Sequence, residues 1–217
     1  MHSSAYARSV LRRLSARYGA RLHTQLSHRG MVELFVAVLL SPQCTDRQVN
    51  AATAALFKHF GDFRDYANAD TRTLARYLRG LNYYKTKARY LKRASEQIME
   101  SFGGEVPRSM EQLLRLYGVG RKVANVILNE GYGINEGIAV DTHVATVARR
   151  LRLSGHRDPY GIERDLMRLY PKGEWGRVSN TLIELGRDTC KARNKECARC
   201  ALKDMCPSSD AGQRRQR

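Results

Sequence analysis

Leu116-Tyr117-Gly118-Val119-Gly120-Arg121-Lys122 is the stretch that decides how this chain is read. Its two glycines, at i and i+2, fall between helical sequence that ends near Leu116 and helical sequence that opens at Arg121. Glycine reaches backbone angles closed to other residues, so the stretch predicts a tight hairpin between two helices, with its backbone amides uncovered. Such a turn suits an anion, because first-turn N–H groups point outward and the helix dipole adds partial positive charge. A tight turn without a ligand explains the same residues, and the surrounding chain has to decide between the two.

Upstream, Ser109 with Gln112 predicts a capping box opening the short helix before the hairpin, and a long basic helix over 83–102 is closed by Gly103-Gly104. Downstream come a helix over 122–129, a turn at Gly131-Tyr132-Gly133, and Asp141 as N-cap of a helix over 142–151. Two more helices, over 161–170 and 175–185, follow. Toward the N-terminus an amphipathic helix sets Tyr6, Val10, Leu11, Leu14 and Tyr18 against Arg8, Arg12, Arg13 and Arg17. An apolar helix over 31–40 is broken by Ser41-Pro42. The next is capped by Thr45 or Asp46 and stopped near Gly61, and Asp70 caps a short helix ending at Gly80. Apolar residues recur at helical spacing and strand-like alternation is absent, so the fold class is all-α.

The chain has 217 residues, of which 42% are hydrophobic, enough for a sizeable core. Its 38 lysines and arginines against 21 acids give a formal charge of +17 and a pI near 10.1. Such a surplus points to a polyanion, nucleic acid first and an anionic membrane surface second. The longest apolar run, 31–40, contains Glu33 and is far short of the ~20 residues that span a bilayer, so no membrane anchor is expected. The N-terminal residues do not resemble a secretory signal, which places the chain in a reducing, cytoplasmic compartment. The polar and basic end, 207–217, reads as a disordered tail.

Cys190, Cys197, Cys200 and Cys206 are spaced C-x6-C-x2-C-x5-C. Thiolates are soft ligands, and four of them with short spacers can converge on a 4Fe-4S cluster or a structural zinc. The spacing is unlike paired zinc-ribbon cysteines and favours iron–sulfur, while disulfides would need an oxidising compartment. Cys44 stands apart and reads as a small buried hydrophobe.

Three motifs in register, the LYGVGRK stretch, Ala139-Val140-Asp141-Thr142-His143-Val144 and the four cysteines, resemble the endonuclease III family of helix-hairpin-helix DNA glycosylases. The likeness covers about residues 30–206, and Leu185-Gly186-Arg187 is similar to the family's approach to its first cluster ligand. The resemblance implies two helical lobes with a DNA groove between them. One is a six-helix lobe over 24–134 with the hairpin, and the other combines 1–23 with 135–217 around a 4Fe-4S cluster. It implies a monomer acting on double-stranded DNA that contains damaged bases or abasic sites, in association with the nucleoid.

By that resemblance Lys122 is the nucleophile and Asp141 the catalytic carboxylate, although by themselves a lysine after Gly-Val-Gly-Arg reads as a phosphate contact and Asp141 as a helix cap. At the start of a helix and beside Arg121, the Lys122 amine is disfavoured as ammonium, which suits attack near pH 7. The implied activity is base excision followed by strand cleavage through a Schiff base, on oxidised pyrimidines. Gln43 and Leu81 match the residues that fill the hole left by a flipped nucleotide. Gly118, Val119, Gly120 and Arg121 contact phosphates through the hairpin, and Lys191 and Arg193 through a loop the cluster organises. Lys85, Lys87 and Arg89 line the DNA backbone or form a solvated helix face. Three positions depart from the family pattern. Tyr117 replaces a hairpin proline and is expected to loosen the turn. Leu114 replaces a pocket glutamate, and Asn82-Tyr83-Tyr84-Lys85 resembles the loop of mismatch glycosylases. Two other readings stay open, a mismatch- or uracil-directed glycosylase and a non-catalytic DNA-binding module with a zinc-filled cysteine site.

Overall fold

A computed structural model describes residues 3–20 and 22–211. These form α1 (Ser4–Tyr18), α2 (Met31–Leu40), α3 (Asp46–His59), α4 (Phe63–Asn68), α5 (Thr71–Tyr77), α6 (Tyr84–Phe102), α7 (Met110–Arg115), α8 (Arg121–Val126), α9 (Thr142–Arg150), α10 (Pro159–Leu169) and α11 (Trp175–Asp188). A π-helical turn, Ile127–Gly131, continues α8. Among the described residues there is no strand, only one isolated bridge between Cys190 and Lys195.

Side-chain capping sets most of the helix starts. Thr45 and Gln48 form the expected capping box on α3, Asp70 accepts from the amides of Arg72 and Thr73, and Ser109 accepts from Gln112. A second box, Asp62 with Asp65, opens α4, a helix the sequence reading passed over. An exposed cap of this kind contributes about 1 kcal/mol. The end of α2 falls at Leu40, where Pro42 cannot continue the hydrogen-bond ladder.

Two compact units result, one of Thr24–Ile134 and one that joins the described residues up to His23 with those from Asn135 onward. In the first, α2 is buried from Leu34 to Leu40, as a helix apolar on all sides must be. Around it Phe35 meets Phe63 edge-on at 5.4 Å, and Tyr66, Leu74, Leu78, Leu91 and Ile98 complete the core. Both α4 and α5 pack against the apolar side of α6. The second unit packs α1 and α9 against α11 through Val10, Leu14, Val144, Val147, Leu182 and Leu185. Of the expected disordered tail, 207–211 lie within the described residues and are tied down. The Ser208 hydroxyl donates to Arg150 O at 2.8 Å, and Lys195 pairs with Asp210 at 3.3 Å. Residues 212–217 lie outside the described residues.

Candidate functional site

The hairpin joins α7 to α8 as the glycine spacing predicts. Gly118 has φ +82, and a Cβ there would lie 2.6 Å from the Tyr90 ring, so both backbone angle and space require glycine. The Val119 side chain is buried in the core, while its N–H closes the turn onto Leu116 O at 3.1 Å. Among the described residues no acceptor takes the N–H of Gly118 or Gly120, and no side chain caps α8.

Tyr117 does not loosen the turn. Its N–H donates to Gln97 Oε1 at 2.7 Å, and Gln97 Nε2 donates to Arg115 O at 3.1 Å, so one side chain of α6 holds both arms of the hairpin. Proline has no N–H and could not make the first of these bonds. The Tyr117 ring also packs edge-on against Tyr90 at 5.3 Å, with the Arg93 guanidinium 5.8 Å from its centre. Gln97 therefore replaces by hydrogen bonding the rigidity a proline ring supplies.

Lys122 occupies the first turn of α8, partly buried, and its Nζ donates to Ser41 Oγ at 3.2 Å. The Ser41 hydroxyl itself donates to Val38 O at 2.9 Å, which leaves its lone pairs toward the lysine. The end of α2 thus fixes where the amine sits. A π-turn starts five residues later, the kind of helix irregularity often found at functional sites.

Gln43 sits exposed in the left-handed region at φ +59. Such a conformation costs roughly 1–2 kcal/mol in a non-glycine residue and persists where neighbours impose it. They do so here. Asn82 Nδ2 donates to Gln43 O at 2.6 Å, and Lys87 Nζ donates to Pro42 O at 2.8 Å and to Cys44 Sγ at 2.9 Å. Lys87 is buried at 6% exposure, so it does not line a DNA backbone, and it holds the Gln43 loop from beneath. The reason is its register on α6, where it falls on the same face as Leu91 and Ala94. Half-buried Cys44 packs on the core as a small hydrophobe. Leu81 is also buried, at 3% exposure, and the structure does not present it to a ligand. The exposed large hydrophobic residue of that loop is Tyr83, at 65% and φ +56. Leu114 is exposed on α7.

Asp141 belongs to the other unit. Its Oδ1 accepts from Val144 N at 2.8 Å as the cap of α9, and among the described residues Oδ2 takes no hydrogen bond. The start of α9 is seated on α11 by Gly186, where a Cβ would stand 2.8 Å from His143 Cβ.

The four cysteines line one pocket together with Leu151, Leu185 and Leu202. All carry free thiols. Burial, and then repulsion from the other three thiols, pushes the Cys206 thiol up, and burial also raises Cys197. Burial, then Cys206, pushes the Tyr6 phenol up to about 12. A positively charged group among these sulfurs would relieve both effects, and four soft donors around one pocket fit a thiolate-held metal group. Among the described residues no three His, Cys, Asp or Glu side chains stand close enough to hold a single metal ion.

Arg150, at the end of α9, organises the pocket rim. Its guanidinium donates to Cys190 O, Lys191 O and Ala192 O at 2.8–2.9 Å and to Cys190 Sγ at 3.2 Å. Its own carbonyl accepts from Ser208. Lys191 is 3.2 Å from Glu196, which also pairs with Arg199 at 2.5 Å, so the hydrogen bonds from Lys191 and then Arg199 hold the Glu196 carboxyl below its usual range. Arg193 is exposed. The holding roles of Gln97, Lys87, Asn82, Ser41 and Arg150 are not legible in the sequence, since each acts on a partner 18 to 81 positions away.

A model of the HhH-GPD superfamily of base excision DNA repair proteins matches residues 36–172. The endonuclease III of Synechocystis sp. is 42% identical over 186 residues, covering 86% of this chain and 85% of that one. The endonuclease III of Bacillus subtilis is 40% identical over 183 residues, 84% of this chain and 83% of its own. A solved structure of a trapped endonuclease III–DNA covalent intermediate superposes with a TM-score of 0.92 at 35% identity, over 100% of both chains. On fold, hairpin and relatives together, this chain belongs to the HhH-GPD superfamily of base excision DNA repair proteins and, within it, to the endonuclease III family.

Proposed function

We propose that the chain, a DNA glycosylase and AP lyase of base excision repair by its family, excises oxidised pyrimidines from double-stranded DNA as a monomer, with Lys122 as nucleophile. The observation that carries the assignment is the lysine in the first turn after the Gly-Val-Gly hairpin, together with a relative of TM-score 0.92 caught covalently on DNA. A covalent bond to DNA needs a nucleophile, and a Lys122 amine fixed against Ser41 meets that need.

The chemistry follows from two groups. As the N-glycosidic bond breaks, positive charge develops on the deoxyribose, and the Asp141 carboxylate stabilises it. The Lys122 amine attacks C1′, the base leaves, and loss of a proton from the amine allows ring opening to an imine. That imine acidifies the 2′ C–H, whose proton is removed as the C3′–O bond breaks, so β-elimination cuts the strand 3′ to the lesion. The hairpin amides of Gly118 and Gly120 meet the phosphate backbone, which positions the duplex without reading sequence. Gln43, held rigidly in its loop, enters the space of the extruded nucleotide. Leu81 fills that space only by leaving the core in which it is buried.

Cys190, Cys197, Cys200 and Cys206 hold a 4Fe-4S cluster, which fixes the loop carrying Lys191 and Arg193 toward phosphate. A cluster held by four thiolates calls for a reducing compartment. No described helix is long and apolar enough to cross a membrane.

A panel of duplexes with one lesion each tests the proposal. Base release and strand cleavage are expected on oxidised pyrimidines in preference to uracil or mismatched bases, which would indicate the mismatch reading. Lys122→Gln abolishes cleavage, and Asp141→Asn slows base release by ~10²- to 10³-fold. Asparagine caps a helix about as well as aspartate, so a folded Asp141→Asn chain with full activity refutes the role of the charge. Iron and acid-labile sulfide are expected at about four each per chain, and zinc alone contradicts the cluster.

A further inference from the structure

Packed side by side in the Thr24–Ile134 unit, α5 and α6 enclose an open cleft of about 640 Å3. Five cations line it, Arg72, Arg76 and Arg79 from α5 and the turn after it, and Lys85 and Arg89 from α6, together with Tyr84. On each helix the charges recur about one turn apart, where like charges destabilise a helix. Among the described residues none of the five pairs with a carboxylate. Arg76 donates to Thr73 Oγ1 at 3.2 Å and Arg89 to Thr86 Oγ1 at 3.4 Å. In the same unit Lys92 pairs with Glu96 and Arg115 with Glu111. No Asp or Glu lines the cleft, and the only acid beside it in sequence, Asp70, is committed to capping α5. Its charge is therefore left for a ligand, and a cluster of guanidinium groups is suited to bidentate binding of phosphate oxygens.

The cleft also has a defined place in the chain. Arg79 precedes and Tyr84 follows the loop whose exposed tip is Tyr83 and whose Asn82 grips Gln43. A duplex held by that loop would continue along the cleft. An open trough between two helices suits a continuous phosphodiester track better than a small, enclosed anion.

We propose that the α5–α6 cleft binds the sugar–phosphate backbone of DNA flanking the lesion, through Arg72, Arg76 and Arg79 with Lys85 and Arg89. The placement of the flanking DNA rests on the function proposed above, but the binding itself is read on undamaged duplex and needs no excision. The unaltered chain, an Arg72→Gln/Arg76→Gln variant and a control Arg164→Gln/Arg168→Gln variant on α10 are compared by fluorescence anisotropy. Undamaged duplex of about 30 base pairs is titrated from 50 to 200 mM salt. Losing two phosphate contacts lowers the slope of log K against log salt by roughly 1.8, so the cleft variant loses about 12-fold less affinity across that range than the unaltered chain. The control is expected to change the slope by less than half as much. An unchanged slope in a cleft variant whose helical circular dichroism matches the unaltered chain overturns the proposal. So does an equal change in the control. Saturable binding of tripolyphosphate by the unaltered chain but not the cleft variant, with identical duplex slopes, assigns the cleft to small phosphates and likewise overturns it. Absence of strand cleavage by the unaltered chain counts against the proposed reaction and leaves the slope comparison standing.

Discussion

Alanine at Gly118 and at Gly120 should have opposite effects, although the two glycines are separated by one residue. At Gly118 the backbone is at φ +82, which costs an alanine roughly 1–2 kcal/mol. The new Cβ would lie 2.6 Å from Tyr90 Cδ2, 2.7 Å from Cγ and 3.0 Å from Cβ, so the base of that side chain has to move as well as its tip. Moving it forfeits the edge-on contact with Tyr117, worth about 0.5–1.5 kcal/mol. Together these give a loss of about 1.5–3.5 kcal/mol, or about 3–14 °C in melting temperature for a chain of this size. Gly120 has φ −99 and ψ 172, extended backbone open to any residue, and nothing lies within 4 Å of a Cβ built there. Gly120→Ala should leave stability unchanged or raise it by up to about 1 kcal/mol through the unfolded chain. A methyl group there would stand in open space beside the N–H groups proposed to meet phosphate, so duplex binding should weaken by about 10- to 100-fold, the worth of one hydrogen bond to a charged group. Urea melts followed by circular dichroism and anisotropy on undamaged duplex read both effects. A Gly118→Ala chain as stable as the original, or a Gly120→Ala chain with undiminished DNA affinity, refutes this division of labour.

Gln97→Leu loses its bond to Arg115 O in any background, but it should cost about 1 kcal/mol more in the unaltered chain than in a Tyr117→Pro background, where no Tyr117 N–H remains to lose its acceptor. A denaturant double-mutant cycle measures this, and equal costs in both backgrounds contradict the explanation given for Tyr117. Glu196→Gln removes the acid that neutralises Lys191 and Arg199, so duplex affinity at low salt should rise several-fold and the salt slope steepen by about 1. An unchanged slope in an anisotropy titration would exclude those two side chains from phosphate contact.

The elements that could be read in advance are those fixed by local chemistry. The run 31–40 predicted α2 to the residue because Ser41-Pro42 ends any helix, and Thr45, Asp70, Ser109 and Asp141 mark helix starts by their own side chains. The six residues of α4 are too few for a periodic signal, yet the Asp62–Asp65 pair was visible and was missed. Lys87 shows a different limit. A lysine in a basic helix looks solvated, and only the fold brings Pro42 O and Cys44 Sγ within reach of its ammonium. Leu81 follows the same logic in reverse, since a loop leucine looks available until the core of its unit encloses it. Tyr117 seemed to weaken the hairpin because its support, Gln97, lies 20 residues away on another helix. The reach of Arg150 over the Cys190–Ala192 backbone is non-local in the same sense. Motif spacing singled out Lys122, Asp141 and the four cysteines, and the residues packed around them became visible only in three dimensions.

Borohydride trapping tests the central claim most directly. A duplex with one oxidised pyrimidine is incubated with the chain and borohydride, and the protein–DNA adduct is digested and mapped by mass spectrometry. One cross-linked lysine is expected, Lys122, reduced to a secondary amine at C1′, with no adduct from Lys122→Gln. Mapping to another lysine, or full base excision by Lys122→Gln without any adduct, contradicts it.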